Sequence, residues 1–489
     1  MSEETARTAD AAKAVTESNG LVTFRDVFAL PEYRAAYASL LVNWVGDYLA
    51  KAAVTLLVYE QSDSVLLSAA AFAVSFLPWI IGGTLLSALA ERYPYRRVLI
   101  ACDLFRIVPV ALLLVPHLPI WVMVVLVFLA SLGTPPTQSA RSALLPHLVG
   151  REKLPTAIAI NQTTTQASQV FGYLVGATIA TAISPRVALG VDVLSFILSA
   201  TFIALGIRPR PAPRSQEQRK HLLQESAEGF RLVFGTRVLR SVLLLICLAA
   251  MIVVLPEGLA AAWAALGNTD PTARGLEQGL IMAAVPVGFV IGGLLTTRLV
   301  SADRRDRLIQ PFAVLCGLSL VPMILNPPPI AVALLASLSG MALGGLSPTL
   351  NGKFVLMIPH GYRARAYGVV QTGMQLSQFA GVMVAGLLAN SYWLPLVVGI
   401  CGLVSTAMLV ALVSRWPAKE EFDEAIAYAA ATMPPVVPAP GSPVEAHAPI
   451  TSYQPHHAAT TPGETTAATR LSTYHPHHAA TTSVTPEAP

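Results

Sequence analysis

Charged side chains are scarce in this sequence. Asp, Glu, Lys and Arg make up 12% of the 489 residues, about half the share of an ordinary soluble domain. Hydrophobic residues make up 54% instead, and the mean hydropathy is +0.59. So little charge in so long a chain excludes a water-soluble enzyme and an intrinsically disordered protein. The composition predicts an integral membrane protein.

Cysteines, nucleotide-binding loops and metal-ligand clusters are few or missing. The four cysteines lie singly in apolar stretches without a CxxC spacing, so we expect no disulfide and no metal site. They are Cys102, Cys247, Cys316 and Cys401. The sequence has no Gly-x4-Gly-Lys-Ser/Thr loop, which excludes a pump that hydrolyses ATP by itself. We therefore expect no cofactor, and the net charge of +4 is too small to indicate a nucleic-acid partner.

Twelve apolar runs are long enough to cross a membrane, which takes about 20 residues in a helix. They are residues 36–59, 65–90, 97–115, 119–140, 154–182, 187–207, 237–264, 273–299, 307–325, 329–350, 362–390 and 392–415. Very short linkers join several of them, so neighbouring helices run antiparallel. The predicted fold is all-α with twelve transmembrane helices.

The basic residues support the helix count and give the orientation. With both termini inside, all Lys and Arg except Lys51, Arg106, Arg186 and Arg274 fall in or beside inner segments, as the positive-inside rule requires. The first twenty residues are polar, so we expect no cleavable signal peptide. Frequent Arg, Ala, Leu and Val suggest a GC-rich bacterial genome. The predicted location is a bacterial plasma membrane, with both termini cytoplasmic.

The linkers and tail divide the chain into five parts. Residues 1–35 form a cytoplasmic segment, 36–207 a first six-helix bundle, and 208–236 a Pro-rich and charged cytoplasmic loop. Residues 237–415 form a second six-helix bundle. Residues 416–489 are rich in Ala, Pro and Thr and are predicted to be a disordered cytoplasmic tail.

The two bundles resemble each other at an offset of 210 residues. Ile81-Gly-Gly-Thr-Leu-Leu86 matches Ile291-Gly-Gly-Leu-Leu295, and Asn161 aligns with Gln371. Parallel six-helix repeats place a substrate site between the halves near the middle of the membrane. The repeat therefore predicts transport by alternating access.

The loop between the second and third helices carries a family resemblance. The run Gly83-Thr-Leu-Leu-Ser-Ala-Leu-Ala-Glu-Arg-Tyr-Pro-Tyr-Arg-Arg97 resembles the loop motif of the major facilitator superfamily, with Glu91 and Pro94 where Asp and Gly are usual. Asp103-Leu-Phe-Arg106 and Ala140-Arg-Ser-Ala-Leu-Leu-Pro146 resemble the branch of bacterial drug, macrolide and siderophore exporters. The resemblance covers residues 30–415.

This resemblance implies the major facilitator fold and a charge cluster that closes the cytoplasmic gate. The residues implied, all expected at the inner face, are Glu91, Arg96, Arg97, Asp103, Arg106 and Arg141. It also implies a secondary exporter, a monomer in the lipid bilayer, that uses protons to expel an amphipathic small molecule. The alternative in the same fold is an importer of a polar solute; a membrane enzyme or a receptor is a third, less favoured reading.

Ionisable residues inside predicted membrane helices are the candidates for proton coupling, because such groups are costly there and face a cavity or a partner. Asp47 and Lys51 are four residues apart on one helix face and are able to pair. Glu257 follows Pro256, which frees a backbone carbonyl and predicts a bent, wet helix. Asp192 lies about five residues inside its helix, where a structural hydrogen bond is the simpler interpretation.

Amide and hydroxyl side chains form stripes on the fifth and eleventh predicted helices. Such groups would be costly against lipid, so they face the cavity or a partner helix. The candidates for cavity lining are Asn161, Thr165, Gln169, Gln371, Gln375 and Gln378.

The charge pattern makes a topology prediction. A fluorescent protein that matures only in the cytoplasm is expected to fluoresce when fused after residue 416. Alkaline phosphatase, which is active only outside, is expected to be active when inserted between residues 264 and 273. The reverse result at either position would contradict the twelve-helix orientation.

Overall fold

The computed structural model describes residues 23–80, 93–211, 222–267, 270–359 and 362–431, and every regular element in these ranges is helical. In the first half these are α1 (Phe24–Phe28), α2 (Pro31–Ser62), α3 (Val65–Ala73), α4 (Tyr95–Leu112), α5 (Ile120–Ser131), α6 (Thr134–Ala182) and α7 (Pro185–Gly206). Then follow α8 (Leu222–Gly235), α9 (Arg237–Val253), α10 (Leu255–Gly267), α11 (Pro271–Leu299), α12 (Ala302–Leu318), α13 (Pro329–Met357), α14 (Arg363–Ser391), α15 (Leu394–Val413) and α16 (Lys419–Ala431). Short 3-10 turns cover Val74–Phe76 and Val321–Leu325.

Nine helical segments of the described residues are long and apolar enough to cross a membrane. They are Pro31–Ser62, Ile120–Gly150, Pro185–Gly206, Arg237–Leu266, Pro271–Leu299, Arg304–Leu325, Pro329–Met357, Arg365–Ser391 and Leu394–Val413. Each overlaps one of the twelve predicted spans. Many large apolar side chains on these helices are exposed, which suits contact with lipid.

The other three predicted spans differ from these nine in composition or in how much is described. The span at 65–90 is helical from Val65 to Ile80, and its remainder lies outside the described residues. Helix α4 has only 18 residues and contains four charged side chains. The span at 154–182 is the polar second part of α6. The twelve-helix count therefore remains a prediction.

Three of the predicted spans are interrupted or joined at single residues. The end of the predicted fourth span, from Thr134, and the whole fifth span lie in one element, α6, which is broken at Gly150, whose φ of 73° favours glycine. The seventh predicted span is interrupted between α9 and α10 at Val254. Pro256 lies just after this break, at the bend that the sequence predicted.

Small residues bring α11 and α13 into backbone contact. Gly288 lies against the carbonyl of Ser337, and Gly340 lies against the backbone of Val285. A Cβ atom at either glycine would collide with the facing main chain. This close approach is the usual way in which membrane helices associate, because lipid supplies no hydrophobic driving force between them. The two helices therefore form one tightly packed unit.

The predicted boundaries of the tail and the central loop need correction. Helix α16 occupies the start of the segment predicted to be disordered from residue 416, and α8 occupies much of the loop at 208–236. Phe422 of α16 is 2% exposed and lies beside Trp416, with ring centroids 5.8 Å apart. The Lys353 ammonium lies 4.4 Å from the same Phe422 ring. Burial of this aromatic residue orders a segment whose average composition indicated disorder; residues 432–489 lie outside the described part.

Helix α16 gives a stability prediction. We expect F422A to lower the free energy of unfolding by about 3 kcal/mol, because it removes a buried aromatic ring and leaves a cavity. Y428A on the same helix is the control, since Tyr428 is 69% exposed and its loss should change stability by less than about 0.5 kcal/mol. Thermal unfolding of the purified full chain in detergent measures both. Equal stability of the two variants would show that α16 does not depend on its docking.

Candidate functional site

A cavity of about 1690 Å³ lies among helices from both halves of the chain. Aromatic and aliphatic side chains form much of its wall, and amides and a few ionisable groups complete it. The ionisable side chains other than tyrosine that line it are Asp47, Lys51, Arg106, Asp192, Glu257 and Arg365. The volume exceeds the roughly 300–1,000 Å³ of a drug-sized site. The cavity therefore has room for a bulky small molecule.

Polar contacts join the two halves outside the cavity wall. The Gln278 side chain donates to the carbonyl of Ala52 at 2.9 Å and to the Thr55 hydroxyl at 3.1 Å. Ser64 donates to the Asn390 side chain at 2.9 Å. One end of the wall includes residues near the beginnings of α4 and α14 and the end of α13. They are Tyr95, Asn351 and Arg365.

Asp47 pairs with Arg106 rather than with Lys51. The two charged side chains are 10% and 5% exposed, and Arg106 Nε also donates to the carbonyl of Ala130 at 3.0 Å. Its guanidinium lies 4.3 Å from the centre of the Phe196 ring. Arg106 is eleven residues into α4, about 16 Å along the helix axis from its first residue. Arg106 thus pairs inside the cavity wall, and its position at the inner face remains a prediction.

Asp103 lies in a separate network of hydrogen bonds. It is fully buried and accepts from Asn43 at 3.0 Å and from Ser199 at 2.6 Å. The hydroxyl groups of Ser199 and Ser39 are 2.8 Å apart. Arg141 donates to the Ser39 hydroxyl at 3.2 Å. Three helices of the first half, α2, α4 and α7, are thus joined at Asp103, and Arg141 of α6 closes the network.

The remaining gate candidates do not join this network. Arg96 donates to the carbonyl of Ala204 at 2.6 Å, a contact within the first half. Arg97 is exposed. Glu91 lies outside the described residues. The six expected gate residues therefore do not form a single cluster in the described part of the chain.

Asp192 is buried beside the Asp47–Arg106 pair. It is 1% exposed, and its carboxylate accepts from the Ser195 hydroxyl one helical turn away, at 3.0 Å. Gly46 of α2 lies directly against both of these side chains, so α2 and α7 approach closely at this level. Asp192 also forms part of the cavity wall. The structural hydrogen bond expected for Asp192 is present, and the residue also lies at the cavity beside the Asp47–Arg106 pair.

Lys51 lies over aromatic rings instead of pairing with Asp47. Its ammonium nitrogen is 5.4 Å from the ring centre of Tyr48, 6.0 Å from Phe72 and 5.8 Å from Phe76. Ring faces attract a cation within about 6 Å, and desolvation strengthens this attraction. The predicted Asp47–Lys51 ion pair is therefore replaced by contacts with three aromatic rings.

Glu257 has a partner that the sequence did not indicate. The Tyr173 hydroxyl donates to its carboxylate at 3.1 Å, and Glu257 is 6% exposed. Tyr173 belongs to α6 and Glu257 to α10, so this hydrogen bond joins the two halves at the cavity. Gly172 and Gly176 place this part of α6 against Tyr48 and Leu49 of α2. In the sequence, the glycines that flank Tyr173 were the signal that this part of α6 packs closely against another helix.

The amide candidates divide into two groups. Those that line the cavity are Gln169, Gln371, Gln375 and Gln378, joined by Gln166. Asn161 instead accepts from Tyr33 at 3.1 Å, and the Thr165 hydroxyl donates to the carbonyl of Asn161 at 2.9 Å. Neither of these two is part of the cavity wall. Within the fifth predicted span, the amides that reach the cavity are therefore Gln166 and Gln169.

The described residues contain no cluster of three or more His, Cys, Asp or Glu side chains that is arranged to hold a metal ion. The side chains that line the cavity can bind protons, form ion pairs and hydrogen bonds, and contact apolar groups.

Close packing around Arg106 makes a stability prediction. A Cβ atom on Gly133 would lie 2.7 Å from Cδ and 2.8 Å from Cγ of Arg106. We expect G133A to lower the free energy of unfolding by about 1–3 kcal/mol, as overpacking does. G190A in α7 is the control, because a Cβ there meets nothing within 4 Å and alanine favours a helix by about 1 kcal/mol. If thermal unfolding in detergent ranks G133A equal to or above G190A, Arg106 is not held by this packing.

Comparison with known proteins gives the family of this chain. Residues 27–438 match the family model described as transmembrane secretion effector, within the major facilitator superfamily. Macrolide efflux protein A of Streptococcus pyogenes is 21% identical over 73% of this chain and 89% of that protein. The multidrug efflux pump Tap of Mycolicibacterium fortuitum is 24% identical over 68% and 83%. The enterobactin exporter EntS of Shigella boydii is 26% identical over 56% and 65%.

Solved structures share the fold at low sequence identity. A mutant of the nucleoside transporter NupG has a TM-score of 0.63 at 11% identity, over 78% of this chain and 98% of that chain. A mutant of the peptide transporter POT in complex with alafosfalin has a TM-score of 0.63 at 13% identity, over 81% and 99%. The helices, the cavity and the matched family agree: the chain belongs to the transmembrane secretion effector family of the major facilitator superfamily, and it is a multi-pass membrane transporter, not an enzyme.

Proposed function

We propose that this transporter exports an amphipathic small molecule in exchange for protons. The observation that carries the proposal is the cavity wall, where aromatic rings and amides surround the buried Glu257–Tyr173 hydrogen bond. An apolar molecule with polar groups would contact the rings and bind the amides. The names of three relatives, all efflux proteins or exporters, favour export over uptake.

The architecture proposed is that of two six-helix bundles, at residues 36–207 and 237–415, which rock about the cavity. Helix α6 packs against α11, and α3 packs against α14, so the contacts between bundles lie on both sides of the cavity. We propose that the polar contacts between the bundles at Ser64 and Gln278 close one end of the cavity. By the positive-inside rule, that end is the outer one. The cavity thus faces the cytoplasm, where an exporter takes up its substrate.

Roles for individual residues follow from their positions. Glu257, Lys51, Asp47 and Asp192 are proposed to couple protons to transport, because ionisable groups at membrane depth bind protons or ions. Gln169, Gln371, Gln375 and Gln378 are proposed to bind substrate. Asp103 and Arg141 are proposed to hold the first bundle together, and Glu91, Arg96 and Arg97 to act at the cytoplasmic gate. One chain forms the whole cavity, so a monomer in the bilayer is proposed to be sufficient.

The test uses proteoliposomes with an imposed pH gradient and lipophilic fluorescent amphiphiles, ethidium among them. We expect wild type to move at least one amphiphile and E257Q to reduce gradient-driven movement by roughly 10- to 100-fold. A hydrogen bond to a charged group is worth about 1.5–3 kcal/mol, and about 1.4 kcal/mol corresponds to tenfold in binding.

The matched control for E257Q is D63N. Asp63 is exposed at the end of α2 and has a φ of 48°, a conformation that asparagine adopts readily. D63N is therefore expected to transport like wild type. If wild type moves no amphiphile in the panel, export of amphiphiles is contradicted, and uptake of a polar solute becomes the better proposal. Normal movement by E257Q would exclude Glu257 from coupling.

A further inference from the structure

The charges at and behind the cavity wall do not balance. Four buried or nearly buried carboxylates lie there, and they face three buried or partly buried cations. The carboxylates are Asp47, Asp103, Asp192 and Glu257, and the cations are Lys51, Arg106 and Arg141. Arg365, at the cavity mouth, is paired with Glu228 and does not change the balance. Because an unpaired charge is costly in the interior, one of the four carboxylates has to hold a proton.

Asp192 has the weakest support for a negative charge. Asp47 has the Arg106 guanidinium, and Asp103 accepts from both Asn43 and Ser199. Glu257 accepts from Tyr173 and faces the Lys51 ammonium across the cavity. Among the described residues, Asp192 accepts a hydrogen bond from one hydroxyl, that of Ser195.

The groups that face Asp192 come from two neighbouring helices. Asp47 of α2 and Asp103 of α4 repel a negative charge there, and Arg106 of α4 attracts one. Arg141 of α6 donates to Ser39, whose hydroxyl contacts that of Ser199, the serine bound to Asp103. Since Arg106 is already bound to Asp47, the proton belongs on Asp192.

Arg106 is built to change partners. Its Nε donates to the carbonyl of Ala130, and Gly133 leaves space for its aliphatic stem. The Phe196 ring lies against its guanidinium. The terminal nitrogens now bind Asp47, and Asp192 beside it attracts the same guanidinium. Because the guanidinium is planar and rigid, it changes partner as a unit, through torsions of its aliphatic stem that release Nε from Ala130.

Lys51 is placed to start the exchange. It is one helical turn from Asp47 on α2, and in the described structure it is held by aromatic rings with no carboxylate oxygen within ion-pair distance. A cationic ligand attracted to Glu257 and to the same rings would repel the ammonium. The nearest carboxylate along its own helix is Asp47. If Lys51 moves to Asp47, Arg106 is released toward Asp192.

We propose that Asp192 carries the coupling proton and gives it up when a monovalent cationic amphiphile binds beside Glu257. Lys51 then pairs with Asp47, Arg106 pairs with Asp192, and the O–H bond of the Asp192 carboxyl group breaks, with the proton passing to cavity water. One positive charge enters as one leaves, so the interior charge is unchanged. This inference rests on proton-coupled export and gives that function a substrate class and a proton site that is separate from the substrate site.

The test measures proton release by the purified full chain in weakly buffered detergent solution. Ethidium and tetraphenylphosphonium are the probes, with a pH-indicator dye as the readout. We expect wild type and D63N to release about one proton per bound probe, as linkage requires when one group loses its proton on binding. D192N is expected to bind the probes and release less than about a tenth of that amount.

A second variant and a spectroscopic signal separate chemistry from structural damage. The infrared carbonyl band of a protonated carboxylic acid should be present in wild type, should disappear when probe binds, and should be missing in D192N. D47N should lack it too, because Arg106 is then free to pair with Asp192 permanently. E257Q should lack it as well, because Lys51 is then free to pair with Asp47 and Arg106 with Asp192, and it should bind probe at least tenfold more weakly.

The outcomes distinguish this inference from the proposed function. Proton release by D192N, or a carboxylic acid band that persists in D192N, would overturn the assignment of Asp192. Failure of wild type to bind either cation would overturn the substrate class. Gradient-driven export that persists in D192N would leave proton-coupled export standing and refute the proton site. Proton release on binding without any transport in proteoliposomes would refute export and leave the ion-pair exchange standing.

Discussion

The ion pair between Arg106 and Asp47 decides how the first half of the chain packs. A guanidinium at membrane depth is acceptable only with a partner and with its remaining donors satisfied. The carbonyl of Ala130, the ring of Phe196 and the space left by Gly133 meet these needs. Four helices, α2, α4, α5 and α7, contribute to that environment. One side chain thus contacts or is enclosed by all four, within the apolar cluster that packs them together.

The two halves contribute different chemistry to the cavity. The first half supplies three of the four central carboxylates and all three of their cations, whereas the second half supplies Glu257 and the amides of α14. The second half is instead held by backbone contact between α11 and α13. Most of the ionisable residues at the cavity thus lie in the first half, and the close backbone contact lies in the second. Glu257 connects the two halves, because it accepts from Tyr173 and faces Lys51 of the first half.

The sequence predicted the fold class, most helix positions and several cavity residues, because apolar run length and the placement of arginines are strong signals in membrane proteins. It did not predict which charges pair. Asp47 and Lys51 share a helix face, and helix spacing favoured their pairing, but Arg106 reaches Asp47 from another helix. Contacts between distant segments leave no periodic signal. The serine and asparagine that bind Asp103 were missed for the same reason.

Local composition also misled in one segment. The segment after residue 416 was predicted to be disordered because its average composition is rich in Ala, Pro and Thr. Helix α16 nevertheless packs against the protein through Phe422. A single buried aromatic residue outweighs the average of a long segment, and only tertiary packing reveals it. A single residue also has a large local effect at Gly150, where a positive φ separates α6 into two helical stretches.

The four charged side chains of α4 have a consequence for biosynthesis. A segment that contains Arg96, Arg97, Asp103 and Arg106 is a poor substrate for insertion on its own, because each charge near the bilayer centre opposes partitioning into lipid. Its partners Asn43 and Asp47 belong to α2, which leaves the ribosome earlier. We therefore expect α2, which is made first, to help α4 enter the bilayer. The order of synthesis along the chain would then be part of how this protein reaches its structure.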